Sequence, residues 1–254
     1  MADLASPFGL SGHHALITGG GSGIGLAAAR CMRDAGAAVT IVGSDAAKLS
    51  RAKAELGDVS AVAFDVTAVD AAEDFAARVA DRHGPVSVLV NNAGNTVKKP
   101  LDAMTPADFQ SVLDVHVSGA FALTRAFLPQ IAAQDAGSVL FTASMASFLG
   151  IPEIAGYSAA KAALVGLTRS LATELAPRGV RVNAVAPGWI DTPLFRSASA
   201  KDPARVDRIN RRIPMGRFGT PEEIGLAMVY LASPAAAYVT GQVLAVDGGA
   251  LHAF

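Results

Sequence analysis

Cysteine is almost absent from this sequence, which has one, Cys31, in 254 residues. A single cysteine cannot form an internal disulfide, so the fold needs no oxidising compartment. The first residues have neither a basic start nor a long apolar stretch, which is not the pattern of a signal peptide. Apolar runs long enough to span a bilayer are missing as well. These features predict a cytoplasmic protein without a membrane partner.

Runs of like charge are also missing, and the net charge at pH 7 is -1. Binding to nucleic acid or to an anionic membrane surface would favour a basic patch, so neither partner is expected. Apolar residues, in contrast, make up 51% of the chain. That content suits one large domain with a sizeable buried core. We therefore predict that residues 1–254 form a single domain.

Short apolar, β-branched runs alternate with alanine-rich stretches of helical period. Strands are predicted at 14–18, 39–42, 59–64, 86–90, 138–142, 181–186 and 243–246. Helices are predicted near 24–35, 46–56, 71–82, 106–134, 157–176 and 221–231. This alternation indicates parallel strands joined by right-handed crossovers, and the wholly apolar strands indicate helices on both faces of the sheet. The predicted class is α/β, a doubly wound Rossmann-type sheet of seven parallel strands.

One long connection, 191–214, is rich in Arg, Ser and Pro. A short helix is expected within it, near 204–211. Long inserts in compact domains are often lids over a binding site. A disordered surface loop is the alternative interpretation, and the sequence alone favours neither.

The glycine-rich segment TGGGSGIG occupies 18–25, between the first predicted strand and the first predicted helix. Glycine lets the chain turn sharply and lets a pyrophosphate approach bare amide groups, and the helix N-terminus adds partial positive charge. A hairpin turn would also use such glycines, but the strand–loop–helix context favours dinucleotide binding. The expected cofactor contacts in this loop are Gly19, Ser22, Gly23, Ile24 and Gly25.

The second strand ends in the letters VGSD at 42–45. An acid there would bind the ribose 2′-hydroxyl of NAD, and an arginine would bind the 2′-phosphate of NADP. Ser44 is an expected contact that does not decide between them, and Asp45 is equally suited to capping the next helix. The absence of arginine at Ser22 and at the strand end favours NAD slightly. Lys48 and Arg51 leave NADP open.

Three residues form the candidate catalytic group. Tyr157 and Lys161 are four residues apart and therefore share one face of a predicted helix. A nearby ammonium is expected to lower the pKa of the phenol, so that Tyr157 exchanges a proton with an alcohol or a carbonyl near neutral pH. Ser144 follows the fifth strand at the carboxyl edge of the sheet, where its hydroxyl can bind the substrate oxygen.

With these motifs in this order, the sequence resembles the short-chain dehydrogenase/reductase family over 10–249. The motifs are TGGGSGIG at 18–25, FDV at 64–66, NNAG at 91–94, Ser144, YSAAK at 157–161 and PG at 187–188. The resemblance implies Tyr157 as acid/base, Lys161 as its modulator and a binder of the nicotinamide ribose, and Ser144 as substrate orienter. It also implies cofactor contacts at Asp65, Val66, Asn92, Ala93, Gly94, Pro187, Gly188, Ile190 and Thr192.

His116 departs from the family pattern, which usually has asparagine at this position. The resemblance assigns that residue a helix kink and a backbone carbonyl that holds a water near the lysine, a role that can survive the change. Alternatively, His116 titrates near neutral pH and joins the proton path as a catalytic residue. A structural histidine in a helix interface is the third interpretation.

The resemblance implies an NAD(P)-dependent oxidoreductase that interconverts a secondary alcohol and a ketone, without a metal. Its pocket is expected at 95–97, 145–154, Trp189 and 195–215. The segments 98–101 and 213–219 are similar to members that oxidise sugar acids, while 238–249 is shared with 3-oxoacyl reductases. A polyol or sugar acid, a 3-hydroxyacyl thioester and another secondary alcohol all stay open. The family also suggests a homotetramer. The rival hypothesis is a catalytically silent dinucleotide-binding sensor or scaffold.

Overall fold

The computed structural model describes residues 6–192, 195–196 and 203–253. Its strands are β1 His14–Thr18, β2 Ala38–Gly43, β3 Ser60–Ala63, β4 Val88–Asn91, β5 Gly137–Thr142, β6 Val180–Pro187 and β7 Val243–Val246. All pair in parallel in one sheet, in the order β3-β2-β1-β4-β5-β6-β7. The order reverses between β1 and β4, and open α/β sheets bind ligands beyond the carboxyl ends of the strands at such a point.

The helices are α1 Gly23–Asp34, α2 Ala46–Leu56, α3 Ala72–His83, α4 Pro106–Leu113, α5 Gly119–Ala132, α6 Ala155–Leu175, α7 Pro203–Arg211 and α8 Pro221–Ala232. Side chains start three of them, since Asp45, Thr105 and Thr220 each accept an N–H from the first turn. Thr105 and Thr220 also complete capping boxes, with proline at the start of each helix. No helix of the described chain is long and apolar enough to cross a bilayer.

Helices cover both faces of the sheet, as predicted. One apolar cluster joins α1, α2 and α8 to one face, and a second joins α3, α5 and α6 to the other. The neighbouring residues Leu16 and Ile17 of β1 are both fully buried, and they belong to opposite clusters. The predicted doubly wound, seven-stranded parallel fold is confirmed.

Several predicted boundaries are wrong, and the largest error concerns the helix predicted at 106–134. A π-helical turn, Asp114–Ser118, separates α4 from α5. Apolar periodicity barely changes across such a turn, because only one extra residue enters the helix there. β3 is shorter than the predicted 59–64, β4 lies at Val88–Asn91 rather than 86–90, and α6 begins at Ala155 instead of 157.

Part of the predicted lid is ordered against the C-terminal segment. The expected short helix is confirmed as α7, Pro203–Arg211. Ile209 and Ile213 are buried in a small cluster with Met145 and Ala250, separate from the two clusters of the sheet. The positions 193–194 and 197–202 of the predicted lid lie outside the described residues.

At the amino ends of the strands, polar side chains pair with one another. The His14 ring places Nδ1 3.0 Å from the Gly84 carbonyl and Nε2 2.9 Å from the Thr40 hydroxyl. Ser87 Oγ accepts the His14 backbone N–H at 3.0 Å and lies 3.1 Å from His13 Nδ1. Burial lowers the pKa of His14 and favours its neutral form, which donates from one nitrogen and accepts at the other. This network ties β1, β2 and β4 together at the edge opposite the glycine-rich loop.

Candidate active site

The glycine-rich loop leaves the start of α1 without a side-chain cap. Ser22 is the N-cap residue, but its side chain makes no capping hydrogen bond. Gly25 has no room for a side chain, since a Cβ there would lie 2.3 Å from the Gly19 carbonyl oxygen. Gly19 and Gly23 adopt positive φ values of 67° and 55°. The first amides of α1 are therefore available to an anion such as a pyrophosphate.

A groove of about 350 Å³ runs from this loop past the carboxyl ends of β2, β3 and β4. Residues predicted to contact the cofactor line it: Gly19, Ser22, Ser44, Asp65, Val66, Ala93 and Gly94. Asp45 and Lys48, which the sequence left open as contacts of the ribose end, also line the groove, as does Asn95 of the expected substrate pocket. The remaining lining residues were not predicted: Gly21, Gly43, Leu49, Phe64, Thr67 and Val115. A groove that ends on bare helix amides fits a dinucleotide.

Asn92 forms hydrogen bonds to strand ends beside the glycine-rich loop. Its backbone N–H donates to Thr18 Oγ1 at 2.9 Å, and its Nδ2 donates to the Thr18 carbonyl at 3.1 Å. The Thr142 hydroxyl donates to Asn92 Oδ1 at 3.2 Å. These bonds link the ends of β1, β4 and β5 beneath the loop. Thr142 was not predicted, although it is the last residue of a predicted strand at the ligand-binding edge, and Thr18 was predicted only as the first residue of the glycine-rich motif.

The segment 187–192 passes close to the loop. A Cβ on Gly23 would lie 3.8 Å from Thr192 Cγ2. Ile190 pairs with Gly219 beyond the main sheet. Gly188 donates its N–H to Val246 at 3.1 Å, and a Cβ on it would lie 2.6 Å from Asp247 Cβ. Gly188, predicted as a cofactor contact, is therefore required by the packing against β7, while Thr192 lies nearest the loop.

The three predicted catalytic residues come together at the ends of β5 and α6. Lys161 Nζ lies 5.4 Å from the centre of the Tyr157 ring and donates a short hydrogen bond of 2.5 Å to the Thr142 carbonyl. Ser144 accepts the Ala146 N–H at 3.1 Å, and a hydrogen bond also links it to Tyr157. Tyr157 is thus flanked by a hydroxyl and an ammonium group.

Burial governs the protonation of this group. Burial raises the pKa of Tyr157, and the hydrogen bond from Ser144 offsets only part of that effect. Burial also lowers the pKa of Lys161 to about 7. The prediction that the pKa of Tyr157 is lowered is therefore wrong for the protein without a ligand. Burial disfavours both the Tyr157 phenolate and the Lys161 ammonium. Loss of the phenol proton requires added positive charge nearby or a partner that receives the proton.

His116 lies between the groove and Tyr157. It lies in the π-helical turn, with its ring edge-on to the Tyr157 ring at 5.5 Å between centroids and 87° between planes. Nε2 is 2.8 Å from the Asn95 carbonyl and 3.2 Å from its N–H, whereas buried Nδ1 has no partner. The ring also excludes any side chain at Gly94, whose Cβ would lie 2.4 Å from His116 Cε1.

The pKa of His116 is lowered to about 4, first by burial and then by the charge of Lys161. The imidazole is therefore neutral at physiological pH, which argues against the interpretation that it titrates near neutrality. A relay through the ring would also need a proton exit at Nε2, which faces the Asn95 backbone. The structural and backbone interpretations of His116 fit these contacts better.

Two groups of side chains, a polar wall and an apolar wall, lie in or next to the segments predicted to bound the substrate pocket. Loop 94–104 is tied to the segment before α6, because the Lys99 N–H donates to the Glu153 carbonyl at 2.9 Å and Lys98 pairs with Glu153 at 3.1 Å. Glu153 has a positive φ of 69°, which is rare outside glycine. The apolar wall consists of residues packed around the small cluster of Ile209, Ile213, Met145 and Ala250: Leu149, Trp189, Phe195 and Phe218. Within the described chain, no group of three or more His, Cys, Asp or Glu is placed to hold a metal ion.

Comparison with known proteins agrees with this geometry. A family model described as enoyl-(acyl carrier protein) reductase matches residues 19–251. Galactitol 2-dehydrogenase (L-tagatose-forming) of Cereibacter sphaeroides is 42% identical over 97% of this chain and 98% of its own. The 3-oxoacyl-[acyl-carrier-protein] reductase of Thermotoga maritima is 38% identical over 94% and 98%. Gluconate 5-dehydrogenase of Burkholderia cenocepacia J2315, solved with NADP and tartrate, superposes with a TM-score of 0.92 at 35% identity, covering 98% and 99%.

These relatives differ in substrate but share the reaction type, since they are dehydrogenases or reductases of C–OH and C=O groups. The match spans nearly the whole chain and includes the loop, the groove and the catalytic residues described above. The resemblance predicted from the sequence is confirmed. The chain belongs to the short-chain dehydrogenase/reductase family and is an NAD(P)-dependent oxidoreductase that interconverts a secondary alcohol and a ketone.

Proposed function

We propose that this oxidoreductase acts on a small polyhydroxylated substrate, a polyol or a sugar acid, in preference to a 3-hydroxyacyl thioester. The supporting observation is the polar wall. Lys98 and Glu153 pair with each other and are about half exposed. The Asn95 carbonyl contacts His116, which packs against the Tyr157 ring. A chain of hydroxyl groups needs such partners, and a site built to hydrogen-bond a hydroxyl rejects analogues that lack it.

The relatives support the same choice. One that is 42% identical carries the name of a polyol dehydrogenase, and a structural neighbour named for a sugar acid holds tartrate. A 3-oxoacyl reductase is also close, at 38% identity. The apolar wall around Trp189 and Phe195 is the feature that would suit an acyl chain. Thioesters therefore belong in the substrate panel as the competing class.

In this proposal each catalytic side chain has one task. A bound NAD(P) supplies the group that accepts or returns the hydride. Tyr157 Oη takes the proton of the substrate hydroxyl during oxidation and returns a proton to the carbonyl oxygen during reduction. Ser144 donates a hydrogen bond to the same oxygen. Lys161, when charged, stabilises the phenolate form of Tyr157. Because the pKa of Lys161 is lowered to about 7, this stabilisation depends on pH near 7.

The cofactor contacts are proposed from the groove and the resemblance. The open amides of α1 hold the pyrophosphate, and Asp65 and Val66 border the adenine end. Asp65 Oδ1 accepts hydrogen bonds from the Thr67 N–H and hydroxyl, at 2.9 and 2.8 Å. The other carboxylate oxygen, Oδ2, is left to accept a hydrogen bond from the cofactor. Lys161 and the 187–192 segment lie at the nicotinamide end.

The test is a spectrophotometric screen of polyols, sugar acids and β-hydroxyacyl thioesters with both cofactors. Galactitol or gluconate, or a close stereoisomer, should give kcat/KM at least tenfold above any thioester. A thioester that outperforms every polyol and sugar acid would refute the substrate proposal. Tyr157→Phe should lose about a thousandfold in kcat without loss of cofactor binding. Tyr238→Phe, at a fully exposed tyrosine, is the matched control and should be unchanged.

We further propose a homotetramer in the cytoplasm. Apolar side chains are exposed on α8 and on β7, at Leu226 and Leu244, while Phe121 is exposed on α5. Exposed apolar groups on two separate regions support two kinds of interface. Light scattering at micromolar concentration should give four times the chain mass. A monomeric mass would refute the assembly.

A further inference from the structure

We propose that Asn210, on the shielded side of α7 in the predicted lid, selects the substrate by hydrogen-bonding one of its non-reacting hydroxyl groups. The inference deepens the proposed function and rests on the polyol or sugar acid named there. It assigns to one side chain a preference that the fold leaves open, since relatives with this fold differ in substrate. The amide binds the substrate and takes no part in hydride or proton transfer.

The two sides of α7 differ in exposure. Between residues 206 and 213, positions 207, 208, 211 and 212 are exposed, whereas positions 206, 209, 210 and 213 are shielded from solvent. The shielded positions recur at the three- and four-residue spacing of one helix face. Three of them are Val206, Ile209 and Ile213, and the fourth is Asn210. A polar side chain therefore lies in the middle of an apolar stripe.

The amide of Asn210 has a buried end without a partner. Its Oδ1 is buried and accepts no hydrogen bond from any residue that the structure describes. Turning the amide over would bury the NH₂ group at the same place, so one end stays unpaired in either orientation. Buried polar groups normally have a partner, because an unpaired one destabilises the fold. We therefore expect a ligand to supply the partner of Asn210.

The stripe of α7 packs next to the catalytic serine. Ile209 and Ile213 share one apolar cluster with Met145, the residue that directly follows Ser144. Trp189 packs against the same cluster and lies in the 187–192 segment. In this proposal, a substrate with its reacting hydroxyl at Ser144 extends its remaining hydroxyls toward α7.

The chemistry of an amide matches that of a substrate hydroxyl. A hydroxyl both donates and accepts hydrogen bonds, and an asparagine side chain offers one acceptor and two donors. The cluster around it is apolar and provides no other partner for a hydroxyl among its described members. An acyl chain in the same place would leave the amide unpaired, which a closed site penalises. Asn210 therefore favours a polyol or a sugar acid over a thioester.

Steady-state kinetics of Asn210→Leu with two substrates test this assignment. The substitution keeps the approximate size of the side chain and removes both hydrogen-bonding groups. For galactitol or gluconate, whichever the wild type oxidises faster, kcat/KM should fall by about tenfold or more, mainly through KM. For cyclohexanol, a secondary alcohol without a second hydroxyl, kcat/KM should change by less than about twofold. Calorimetry should give unchanged binding of NAD⁺ and NADP⁺.

Arg211→Leu is the matched control, because it introduces the same side chain at the next position of α7, on the exposed side. It should leave kcat/KM for both substrates within about twofold. Urea unfolding then separates recognition from packing. Asn210→Leu should unfold at the same urea concentration as the wild type or at a higher one, because leucine suits the apolar stripe. A lower unfolding midpoint would show that the amide is structural and would overturn the assignment.

Two further outcomes would refute the role of Asn210 alone. One is an equal loss of kcat/KM for the polyol and for cyclohexanol, and the other is an unchanged kcat/KM for the polyol in Asn210→Leu. A wild type that prefers a β-hydroxyacyl thioester to every polyol and sugar acid would refute the proposed function, and this inference with it.

Discussion

The amino ends and the carboxyl ends of the strands, here called the amino edge and the carboxyl edge of the sheet, differ in how completely their buried polar groups are paired. At the amino edge, His14, Thr40 and Ser87 satisfy one another and the Gly84 carbonyl. At the carboxyl edge, Lys161 is buried with a single carbonyl partner, and α1 begins without a side-chain cap. Paired groups at the amino edge hold strands together, whereas groups at the carboxyl edge are incompletely paired. We therefore propose that the same strands carry stability at one end and chemistry at the other.

This comparison predicts opposite signs for mutations at the two edges. Removal of a polar group from the amino edge should cost stability and spare activity. Removal from the carboxyl edge should cost activity and spare, or even raise, stability, because a buried unpaired charge is expensive. The following four changes test this rule, beginning with the largest effect.

Lys161→Met should lower kcat by about a thousandfold and raise stability by about 1–4 kcal/mol at pH 6. Burial holds the pKa of Lys161 at about 7, below its usual 10.5. The folded state therefore disfavours the ammonium, and this penalty is fully present below pH 7 and disappears as pH rises to 10.5. The stability gain should shrink over the same range. Urea unfolding at pH 6 and pH 10, with cofactor-coupled assays, measures both effects.

Lys48→Met is the control for this change, since it removes an exposed ammonium that makes only a loose ion pair. It should leave stability within about 0.5 kcal/mol at both pH values. A large loss of stability in Lys161→Met at pH 6 would show that the Lys161 hydrogen bond to Thr142 outweighs the cost of burial. In that case the carboxyl edge would be as structural as the amino edge.

How much of this contrast the sequence predicts depends on the kind of signal. Apolar periodicity extends over whole elements, so it predicted the seven strands and nearly all helices. The glycine loop and the four-residue spacing of Tyr157 and Lys161 are local patterns, and they predicted residues that the fold brings to the carboxyl ends of the strands. All of these signals are carried by neighbouring residues in the chain.

The remaining features depend on groups that are distant in sequence. The bonds of Asn92 to Thr18 and Thr142 join three strands, and no single segment reveals them. The raised pKa of Tyr157 follows from burial, which only the folded chain determines. The π-helical turn was missed because a single inserted residue hardly disturbs the apolar pattern. This turn matters because it places the His116 ring against the Tyr157 ring, a contact between residues that are distant in sequence.

His116 offers a way to break the comparison, because it lies at the carboxyl edge and pairs through Nε2 with the Asn95 backbone, while its Nδ1 has no partner. The pKa of His116 is about 4 in the folded state, compared with 6.5 for a histidine that is not buried. The neutral ring is compatible with the fold above pH 6.5, and stability falls by about 3 kcal/mol as pH drops from 6.5 to 4. His116→Asn should remove that part of the acid sensitivity. It should keep turnover at pH 7.5 within a few fold.

Chemical denaturation between pH 4 and pH 7.5 compares the two proteins. The buried histidine of the amino edge, His14, has a lowered pKa in both and provides a common background. Parallel stability curves would show that His116 does not control the acid response. A turnover loss beyond about a hundredfold in His116→Asn would instead place the imidazole side chain in the chemistry.

Thr40→Val tests the amino edge. The change keeps the β-branched shape of a fully buried strand residue but removes the hydroxyl that lies 2.9 Å from His14 Nε2. A buried nitrogen without a partner should cost about 1–3 kcal/mol. Because the site lies at the far end of β2 from the groove, kcat/KM should stay within twofold. Thr173→Val, on the exposed face of α6, is the same substitution without the burial. Equal stability of the two variants would contradict a structural role for the network.

The smallest effect concerns the starts of two neighbouring helices, α1 and α8. Thr220 accepts the Glu223 N–H and completes a capping box, whereas Ser22 caps nothing with its side chain. Thr220→Ala should therefore cost about 1 kcal/mol of unfolding free energy, and Ser22→Ala should cost less than about 0.5 kcal/mol. Urea unfolding of both variants without cofactor measures the difference. Equal losses would mean that Ser22 caps α1 in solution. The amides at the start of α1 would then be paired before any pyrophosphate arrives, and the two helix starts would no longer differ in kind.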